Sequence, residues 1–252
     1  MSSISVVIIT YNEEHNIGRC LQSIQGLADE IVVVDSLSND GTQAICEKFG
    51  VRFISKPFLG YIAQKNFAKE QATHQFILSL DADEALSKEL YASIKSVKEK
   101  GLGHDIYSMN RCTNFCGRWI KHGTWYPDKK LRLFNRHKAT WTGTDPHDSL
   151  EPVPGCSIAH LPGDLLHYSF YNIEELVAQA NRFTTIQAQA MFKIGKKASI
   201  VKLVCNPIWA FFFGYFLKRG FLDGKDGFII AWNVAYQTLL KYSKLMHLQT
   251  KG

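Results

Sequence analysis

The sequence lacks the features that mark several specialised classes of protein. It contains no internal repeat and no low-complexity tract, and its first residues show no basic segment followed by an apolar run, as a signal peptide would. The six cysteines are scattered, and only Cys112 and Cys116 lie close together, so no second pair completes a zinc site. We therefore expect a cytoplasmic chain whose thiols are reduced.

The basic residues do not collect in a single tract. The 252 residues include 29 Lys and Arg against 23 Asp and Glu, a formal net charge of +6. An RNA-binding aromatic signature is absent, so nucleic acid is the least favoured partner. An anionic membrane surface and a phosphorylated substrate both remain as explanations of the positive charge. With 46% hydrophobic residues, the chain can form one large domain, or one domain with an appendage.

Apolar strand-like runs and helical patterns alternate along the first hundred residues. Because the strands show no polar alternation, the pattern predicts an α/β fold with a parallel sheet covered on both faces. The predicted strands are residues 4–9, 31–34, 51–54 and 76–80. The predicted helices begin near Ile17, after the cap 38–41, at Tyr61 and at Ser87.

Polar side chains follow three of these strands, and ligands bind at that end of a parallel sheet. They are Thr10, Asn12, Glu13, Asp35, Asp81 and Asp83. Asp81 and Asp83 form a hard-oxygen pair that suits Mg²⁺ or Mn²⁺, which in turn would neutralise a diphosphate. The alternative is that one of them caps the helix after Ser87.

The pattern changes twice further along the chain. Residues 105–168 show short β-like runs without helical spacing, which predicts a mixed sheet with long loops, and residues from Ile173 onward are helical. Residues 198–217 are apolar and aromatic but are interrupted by Lys202 and Pro207, so a membrane span is disfavoured. Two alternatives stay open: an amphipathic helix at a membrane surface, or a hairpin packed on the protein or on a dimer partner. Residues 220–227 are predicted to be a turn and 228–245 the last helix.

Four motifs in the first ninety residues make the chain resemble family 2 glycosyltransferases of the GT-A fold, a Rossmann-like nucleotide-diphospho-sugar transferase fold. Runs at 131–136, 146–150, 167–169 and 220–228 are similar to a narrower group, the lipopolysaccharide inner-core β-1,4-glucosyltransferase-like proteins. The four motifs are residues 5–14, residues 31–36 with 40–42, residues 64–68 and residues 80–84.

The resemblance implies a mostly parallel central sheet and a C-terminal helical appendage. The catalytic domain would span residues 1–170, with a nucleotide-sugar half at 1–100 and an acceptor half at 101–170. Residues 171–252 would form the helical region, which either associates with a membrane or forms a homodimer.

The resemblance also implies roles for individual residues. Thr10, Tyr11 and Glu13 would line the base and ribose pocket, with Asp35 hydrogen-bonding the base. Lys65 would meet the pyrophosphate or the aspartate cluster. Asp81 would face ribose or metal, and Asp83 would coordinate Mg²⁺ or Mn²⁺. For Tyr11, Asp35 and Lys65 the alternatives are a core tyrosine, a capping acid and a solvent-exposed lysine.

An inverting transfer needs a base for the acceptor hydroxyl. By resemblance this base is Asp148, which is shorter than the Glu common after that His, and Asp145 is its rival; both are alternatively loop acids. His147 is a metal ligand, a substrate contact or a packed imidazole. Arg132 and Arg136 either bind phosphate groups or are solvated strand-edge arginines.

The activity implied is transfer of a hexose, glucose foremost, from a nucleoside diphosphate sugar, UDP-sugar foremost, to a hydroxyl of a lipopolysaccharide-core or other saccharide or glycolipid acceptor. The expected location is the cytoplasm, with peripheral contact on the cytoplasmic face of the inner membrane. Three other functions stay open: a peptide glycosyltransferase, including one acting on cysteine, a nucleotidyltransferase, and a non-catalytic sugar-nucleotide-binding protein. A nucleotidyltransferase is disfavoured because the loop after the first strand, at Thr10–Glu14, is acidic and has no glycine.

Overall fold

The computed structural model describes residues 2–144 and 147–251. The chain divides into two compact units. The first, which we call the sheet unit, comprises Met1–Arg111 and Asp128–Tyr168. The second, the helical unit, comprises Cys112–Pro127 and Ser169–Gly252. The helical unit therefore includes an internal segment that the sequence patterns had grouped with the acceptor half.

The sheet unit begins with alternating strands and helices, as the sequence predicted. The strands are β1 (Ile4–Thr10), β2 (Glu30–Asp35), β3 (Arg52–Ser55) and β4 (Phe76–Asp81). The helices are α1 (Ile17–Ser23), α2 (Thr42–Lys48), α3 (Tyr61–Gln71) and α4 (Lys88–Glu99). The strand order β3-β2-β1-β4 is parallel throughout.

The apolar runs are buried on both faces of this parallel sheet. In β1, Val6 and Ile8 pack in one core with Ile17 and Leu21 of α1. Val7, the residue between them, packs in a second core on the other face, which includes Ala68 of α3. Because alternate strand residues point to opposite faces, a strand covered by helices on both sides has to be apolar throughout.

An antiparallel portion continues the sheet beyond β4. The long strands β6 (Ile106–Phe115), β8 (Asp128–Asn135) and β11 (Ile158–Phe170) follow in the order β4-β8-β6-β11, and β5 (Glu84–Leu86) pairs with β11. The hairpin β9 (Ala139–Thr144) and β10 (His147–Pro152) forms a separate two-stranded sheet. These strands confirm the predicted change of pattern after residue 105.

Ser87, and not one of the preceding aspartates, caps α4. The Ser87 hydroxyl accepts a hydrogen bond from the Leu90 amide at 3.1 Å and a second from the Asp164 amide at 3.1 Å. Neither Asp81 nor Asp83 is the helix cap. The same serine ties α4 to β11, and it is β11 that carries His167 opposite Glu84.

The helical unit consists of β7 (Arg118–Trp119), α5 (Ile173–Lys193), α6 (Ile200–Phe212), a π-helical turn (Phe213–Leu217), a 3₁₀ turn (Gly220–Asp223) and α7 (Gly224–Lys251). Asn172 caps α5 by accepting from the Glu175 amide at 2.8 Å. The helical unit has a small core that joins the internal segment Cys112–Pro127 to the helices. This core contains Phe115, Ile120, Phe170, Leu176 and Ile230.

The turn predicted at 220–227 is confirmed for residues 220–223 and is wrong for the rest, because α7 already begins at Gly224. A Cβ atom at Gly227 would collide with the Gly220 carbonyl oxygen, so glycine at 227 allows the 3₁₀ turn to pack directly on α7. A Cβ atom at Gly220 would lie 2.8 Å from the Gly214 carbonyl oxygen, so glycine at 220 allows the same turn to pack on the π-helical turn. Asp223 also belongs to this joint, since it accepts from the amides of Lys121 and His122 at 3.1 and 2.8 Å. The glycine-rich composition thus reflects close backbone packing rather than a loop.

Candidate active site

The carboxyl ends of β1, β2 and β4 meet at one edge of the sheet unit. Thr10 ends β1 opposite Asp35 at the end of β2, and Ile9 lies opposite Asp81 at the end of β4. The register therefore brings the polar residues that follow these strands together. This is the edge at which parallel α/β sheets bind ligands.

Asp81 lies between two cations. Lys65 Nζ is 3.0 Å from Asp81 Oδ1, and Arg132 Nη2 is 2.8 Å from Asp81 Oδ2. Burial by itself would raise the pKa of the Asp81 carboxyl. The charges of Lys65 and Arg132 and their hydrogen bonds outweigh burial and hold this pKa well below its ordinary value. Asp81 is therefore ionised, and its Oδ1 atom, although 3.0 Å from Lys65 Nζ, has no hydrogen-bond partner among the described residues.

Lys65 connects Asp81 to the predicted base. Its side chain projects from α3 and is only 4% exposed, which rules out the alternative of a solvent-exposed lysine. Nζ donates to Asp148 Oδ2 at 2.8 Å as well as facing Asp81. A buried ammonium needs such partners because desolvation is expensive. Three residues predicted for the site thus form one cluster drawn from α3, β4 and β10.

Arg132 and Glu84 extend this cluster into the interior. Arg132 is 3% exposed, so it is not a solvated strand-edge arginine, and its Nη2 lies 2.7 Å from Glu84 Oε1. Burial lowers the pKa of the Arg132 guanidinium, but the charges of Glu84 and Asp81 raise it above the ordinary value. Glu84 also accepts from the Asp81 amide at 3.0 Å. Glu84 was not predicted as a site residue, although it adjoins Asp83 in the motif at residues 80–84.

Asp83 contacts a histidine that the sequence analysis also missed. His167 Nε2 lies 3.1 Å from Asp83 Oδ2, and the Tyr168 amide donates to the Asp83 carbonyl at 2.9 Å. The only sequence signal for His167 was its place in the run at 167–169. Carboxylate oxygen together with imidazole nitrogen is a donor set that Mn²⁺ accepts.

The structure distinguishes the two aspartates predicted to bind a metal. Asp81 lies against Lys65 and Arg132, whereas Asp83 lies against the imidazole of His167. Within residues 2–144 and 147–251, no group of three or more His, Cys, Asp and Glu is placed to hold an ion. The described chain therefore offers Asp83 and His167 as a partial ligand set, which a substrate diphosphate would have to complete.

Trp141 forms one wall of the cluster. Lys65 Nζ lies 4.6 Å and Arg132 Cζ 5.6 Å from the centre of its ring. Both distances are within the range of cation–π contacts. The side chain is 4% exposed, and among the described residues its Nε1 has no hydrogen-bond partner. The buried Trp141 ring therefore lines the cluster, and its Nε1–H is a hydrogen-bond donor that a bound group could use.

The residues predicted to bind the nucleotide are placed in two ways. Thr10 and Asp35 are buried, whereas Tyr11 is 58% exposed and so is not a core tyrosine. Asp35 accepts from the amide and hydroxyl of Ser38 at 2.8 and 2.5 Å. Asp35 therefore orders the turn before α2.

Glu13 lies beside the aspartates. Burial raises the pKa of its carboxyl; the hydrogen bond from Asn16 opposes this, and the charges of Asp83, Asp40 and Asp81 add to it. Asn16 Nδ2 donates to Glu13 at 2.8 Å. The shift shows that Glu13 belongs to the same crowded acidic region as the ends of β1 and β4.

Gln64 is a further polar residue at this edge. It is fully buried, and its Nε2 donates to the Ser36 hydroxyl at 3.1 Å. In the described part of the chain, neither Gln64 Oε1 nor Thr10 Oγ1 has a hydrogen-bond partner. Buried polar atoms of this kind normally require one, so a bound group at this edge would satisfy them.

Arg136 is a predicted residue that is not brought to the cluster. Arg136 follows β8 at the opposite end of β4, and it donates to the backbone carbonyls of Ala72 and Glu70. It fastens the end of α3 rather than facing Asp81. Asp145, the rival base, lies outside the described residues, and so does the side chain of His147.

Comparison with known proteins identifies relatives along the full chain. The family model for glycosyl transferase family 2 matches residues 5–150. A Rickettsia felis protein described as an uncharacterized glycosyltransferase is 36% identical, over 97% of this chain and 90% of that protein. The lipopolysaccharide core biosynthesis glycosyltransferase LpsC of Rhizobium meliloti is 30% identical, over 96% of this chain and 91% of its own length.

Among solved structures, a mannosyltransferase of Pyrobaculum calidifontis in complex with GDP-mannose and Mn²⁺ shares the fold. The match covers 99% of this chain and 88% of that protein, with a TM-score of 0.55 at 16% identity. The predicted GT-A fold is thereby confirmed.

Proposed function

Because the chain belongs to glycosyl transferase family 2, we propose that it is an inverting enzyme that transfers a hexose, glucose foremost, from a UDP-sugar to a hydroxyl of a lipopolysaccharide-core or other glycolipid acceptor. The observation that carries this is the cluster of Asp148, Lys65 and Asp81 at the carboxyl edge of the sheet. The similarity to a lipopolysaccharide core glycosyltransferase over nearly its whole length supports the choice of acceptor class.

The donor nucleotide would lie over the ends of β1 and β2. Thr10, Tyr11, Glu13 and Asp35 would contact the base and ribose. The exposed ring of Tyr11 is available to stack on a base, and the unpartnered Thr10 hydroxyl can bond a polar edge. Such contacts would satisfy a buried atom that is otherwise left without a partner.

Asp83 and His167 would hold a Mg²⁺ or Mn²⁺ ion, together with oxygens of the donor diphosphate. When bound, the ion would neutralise the negative charge that develops on the leaving nucleoside diphosphate. Lys65 and Arg132 both donate to Asp81 Oδ2, and Asp81 Oδ1, which has no hydrogen-bond partner among the described residues, would be the oxygen left to face the ion. Asp81 would also hold Lys65 beside Asp148.

Asp148 would act as the base. As the acceptor oxygen attacks the anomeric carbon, its proton passes to Asp148 and the bond between that carbon and the diphosphate oxygen breaks. Attack opposite the leaving group inverts the configuration of the sugar. An ionised carboxylate has about four lone-pair sites, so the hydrogen bond from Lys65 leaves Asp148 the capacity to accept this proton.

Lys65 would orient the base before the donor binds. At 2.8 Å, its hydrogen bond fixes the Asp148 carboxylate on the otherwise separate β9–β10 hairpin. A diphosphate arriving at this edge would compete with Asp148 for the same ammonium group. Donor binding would therefore loosen the pair and make Asp148 a better proton acceptor at the moment when the acceptor is needed.

The test begins with thermal-shift screening of the purified chain against nucleoside diphosphate sugars, with and without Mn²⁺, followed by transfer assays with lipid-linked core oligosaccharides. We expect Asp83→Ala to abolish the Mn²⁺-dependent stabilisation by the donor. We expect Asp148→Asn to keep donor binding and to lower transfer by about a hundredfold or more, as loss of a general base does.

Matched controls are available on the same elements. Glu151 is exposed and lies three residues after Asp148 on β10. The variant Glu151→Gln should therefore transfer sugar at the wild-type rate. Glu99→Gln, at the exposed end of α4, should leave the Mn²⁺-dependent shift unchanged. Full activity of Asp148→Asn would refute its role as base, and donor binding without turnover on any acceptor would favour a non-catalytic binder.

A further inference from the structure

The helical unit presents a large apolar surface to solvent. Large apolar side chains form a stripe along α6 and the π-helical turn, and each of them is 44–73% exposed. They repeat at helical spacing, which shows that they share one face. The stripe comprises Ile200, Val204, Ile208, Trp209 and Phe212 on α6 and Phe216 on the π-helical turn.

A second exposed stripe lies on α7 and joins the first through aromatic contacts. Phe228 and Trp232 are 44% and 54% exposed. Phe211 of α6 is 4.9 Å from Trp232 and 5.8 Å from Phe228, measured between ring centres. The two helices therefore form one continuous apolar surface, larger than scattered exposed side chains would give.

The charge of the segment that includes α6 and α7, residues 194–252, is predominantly positive. Residues 194–252 contain nine Lys and Arg against two acids, Asp223 and Asp226. The remaining 193 residues contain 20 Lys and Arg against 21 Asp and Glu, so the segment carries the whole positive excess of the chain. Both of its acids are buried, one paired with His122 and the other with Arg118. Its exposed charges are basic, among them Lys202, Lys218 and Lys225.

From these observations we infer that the surface formed by α6, the π-helical turn and the first half of α7 binds an anionic lipid bilayer, with α6 lying in the plane of the interface. Trp and Phe on one face with basic residues beside them are the composition of interfacial helices. Acidic lipid headgroups complement a surface that has only basic exposed charges. A soluble acidic partner would not need so much exposed apolar area.

The geometry favours lying on the bilayer over crossing it. By length and composition, Ile200–Leu217 is one helix that could span a membrane. However, Lys202 lies near its start and is exposed, and α6 packs along α7, which carries further polar residues such as Gln237 and Lys241. A helix held in the interface keeps these groups in contact with water and headgroups.

The experiment is flotation of the full chain with vesicles of phosphatidylcholine alone and with vesicles containing phosphatidylglycerol. We expect binding to the second kind only, weakening as salt is raised. Ile208→Gln combined with Trp209→Gln should abolish flotation, and Lys202→Gln combined with Lys218→Gln should lower the partition coefficient by about fivefold for each charge removed. Unchanged circular dichroism and melting temperature would show that these variants still fold.

Matched controls lie in the sheet unit. Ile158→Gln removes an apolar side chain that is 49% exposed, and Lys95→Gln with Lys100→Gln removes two exposed charges, one on α4 and one at its C-terminal cap. These variants should float like the wild type. The inference is overturned if the wild type floats with neither vesicle, or equally with both. It is also overturned if bound protein resists alkaline carbonate extraction, which indicates a span, or if the Trp209 variant instead dissociates a dimer.

Discussion

At the scale of single residues, the site depends on compensation of buried charge. Arg132, Lys65, Asp81 and Glu84 would each be costly to bury alone, and together they neutralise one another's charge. The sequence motifs identified Lys65, Asp81 and Asp148 as site residues but could not show which cation faces which acid. That pairing is set by the register of β8 against β4, which is not a local property of the sequence.

We expect Arg132→Met to destabilise the fold by roughly 3–5 kcal/mol, because Glu84 and Asp81 would keep their negative charges in the interior with less compensation. Urea unfolding at neutral pH measures the change. Lys130→Met, two residues earlier on β8, removes a partly exposed pair with Asp128 and should change the free energy of unfolding by less than about 1 kcal/mol. Equal effects of the two substitutions would contradict the buried network.

The lowered pKa of Asp81 makes stability depend on pH. The unfolded carboxyl has a pKa of about 3.9, and the folded one lies well below it because of Lys65 and Arg132. Between these values the unfolded state binds more protons, so the free energy of unfolding falls as the pH drops below about 4. Asp81 contributes its full stabilisation above that pH.

Lys65→Met removes one of the two charges that hold this pKa down. We therefore expect the free energy of unfolding of Lys65→Met to depend less steeply on pH below about 4 than that of the wild type. Urea unfolding at a series of pH values would show this, with Lys95→Met on the exposed face of α4 as the control. Parallel pH profiles for the wild type and Lys65→Met would show that Lys65 does not control the protonation of Asp81.

At the scale of elements, local pattern predicted most of the sheet unit. The strands β1 to β4 and the helices α1 to α4 lie within one or two residues of their expected positions, because apolar runs and helical spacing are short-range signals. The three-residue strand β5 was not predicted. It exists because α4 and β11 are joined at Ser87 and Asp164, which lie 77 positions apart in the sequence.

That joint requires glycine at position 163. Gly163 has φ +93°, and a Cβ atom there would lie 2.7 Å from Leu90 Cα and 2.8 Å from Glu89 C. We expect Gly163→Ala to destabilise the protein by several kcal/mol, because backbone strain of about 1–2 kcal/mol is added to a clash with the start of α4. Since β11 also carries His167, donor-dependent stabilisation by Mn²⁺ should weaken in the same variant.

Gly155→Ala separates the two contributions. Gly155 has φ +84° but nothing within 4 Å of the added Cβ, so only the backbone strain should appear. Thermal melting of both variants gives the comparison. If Gly155→Ala and Gly163→Ala lowered the melting temperature equally, close packing of β11 on α4 would not be the reason for glycine at 163.

At the scale of the whole molecule, the order of the motifs does not match the division into units. The family model matches residues 5–150, which suggests that a shortened chain could stand alone. The structure argues against this, because Cys112–Pro127 lies inside this stretch and belongs to the helical unit. Its Phe115 and Ile120 are buried against Phe170, Leu176 and Ile230. Sequence pattern could not reveal this, since a packing partner more than fifty residues away leaves no local signal.

We therefore expect a chain that ends at Tyr168 to aggregate or to melt at a much lower temperature than the full chain. Truncation would expose Phe115 and Ile120, each of which is 1% exposed in the full chain, and burial of such side chains is worth about 1.5–3 kcal/mol each. Soluble yield and thermal melting measure the effect.

Replacing Cys112–Pro127 by a short Gly-Ser linker in the truncated chain should recover a soluble sheet unit, since the apolar residues that lost their partners are then gone. If the truncated chain without the linker were as soluble and as stable as the full chain, the internal segment would not depend on the helices, and the two units would be independent in folding.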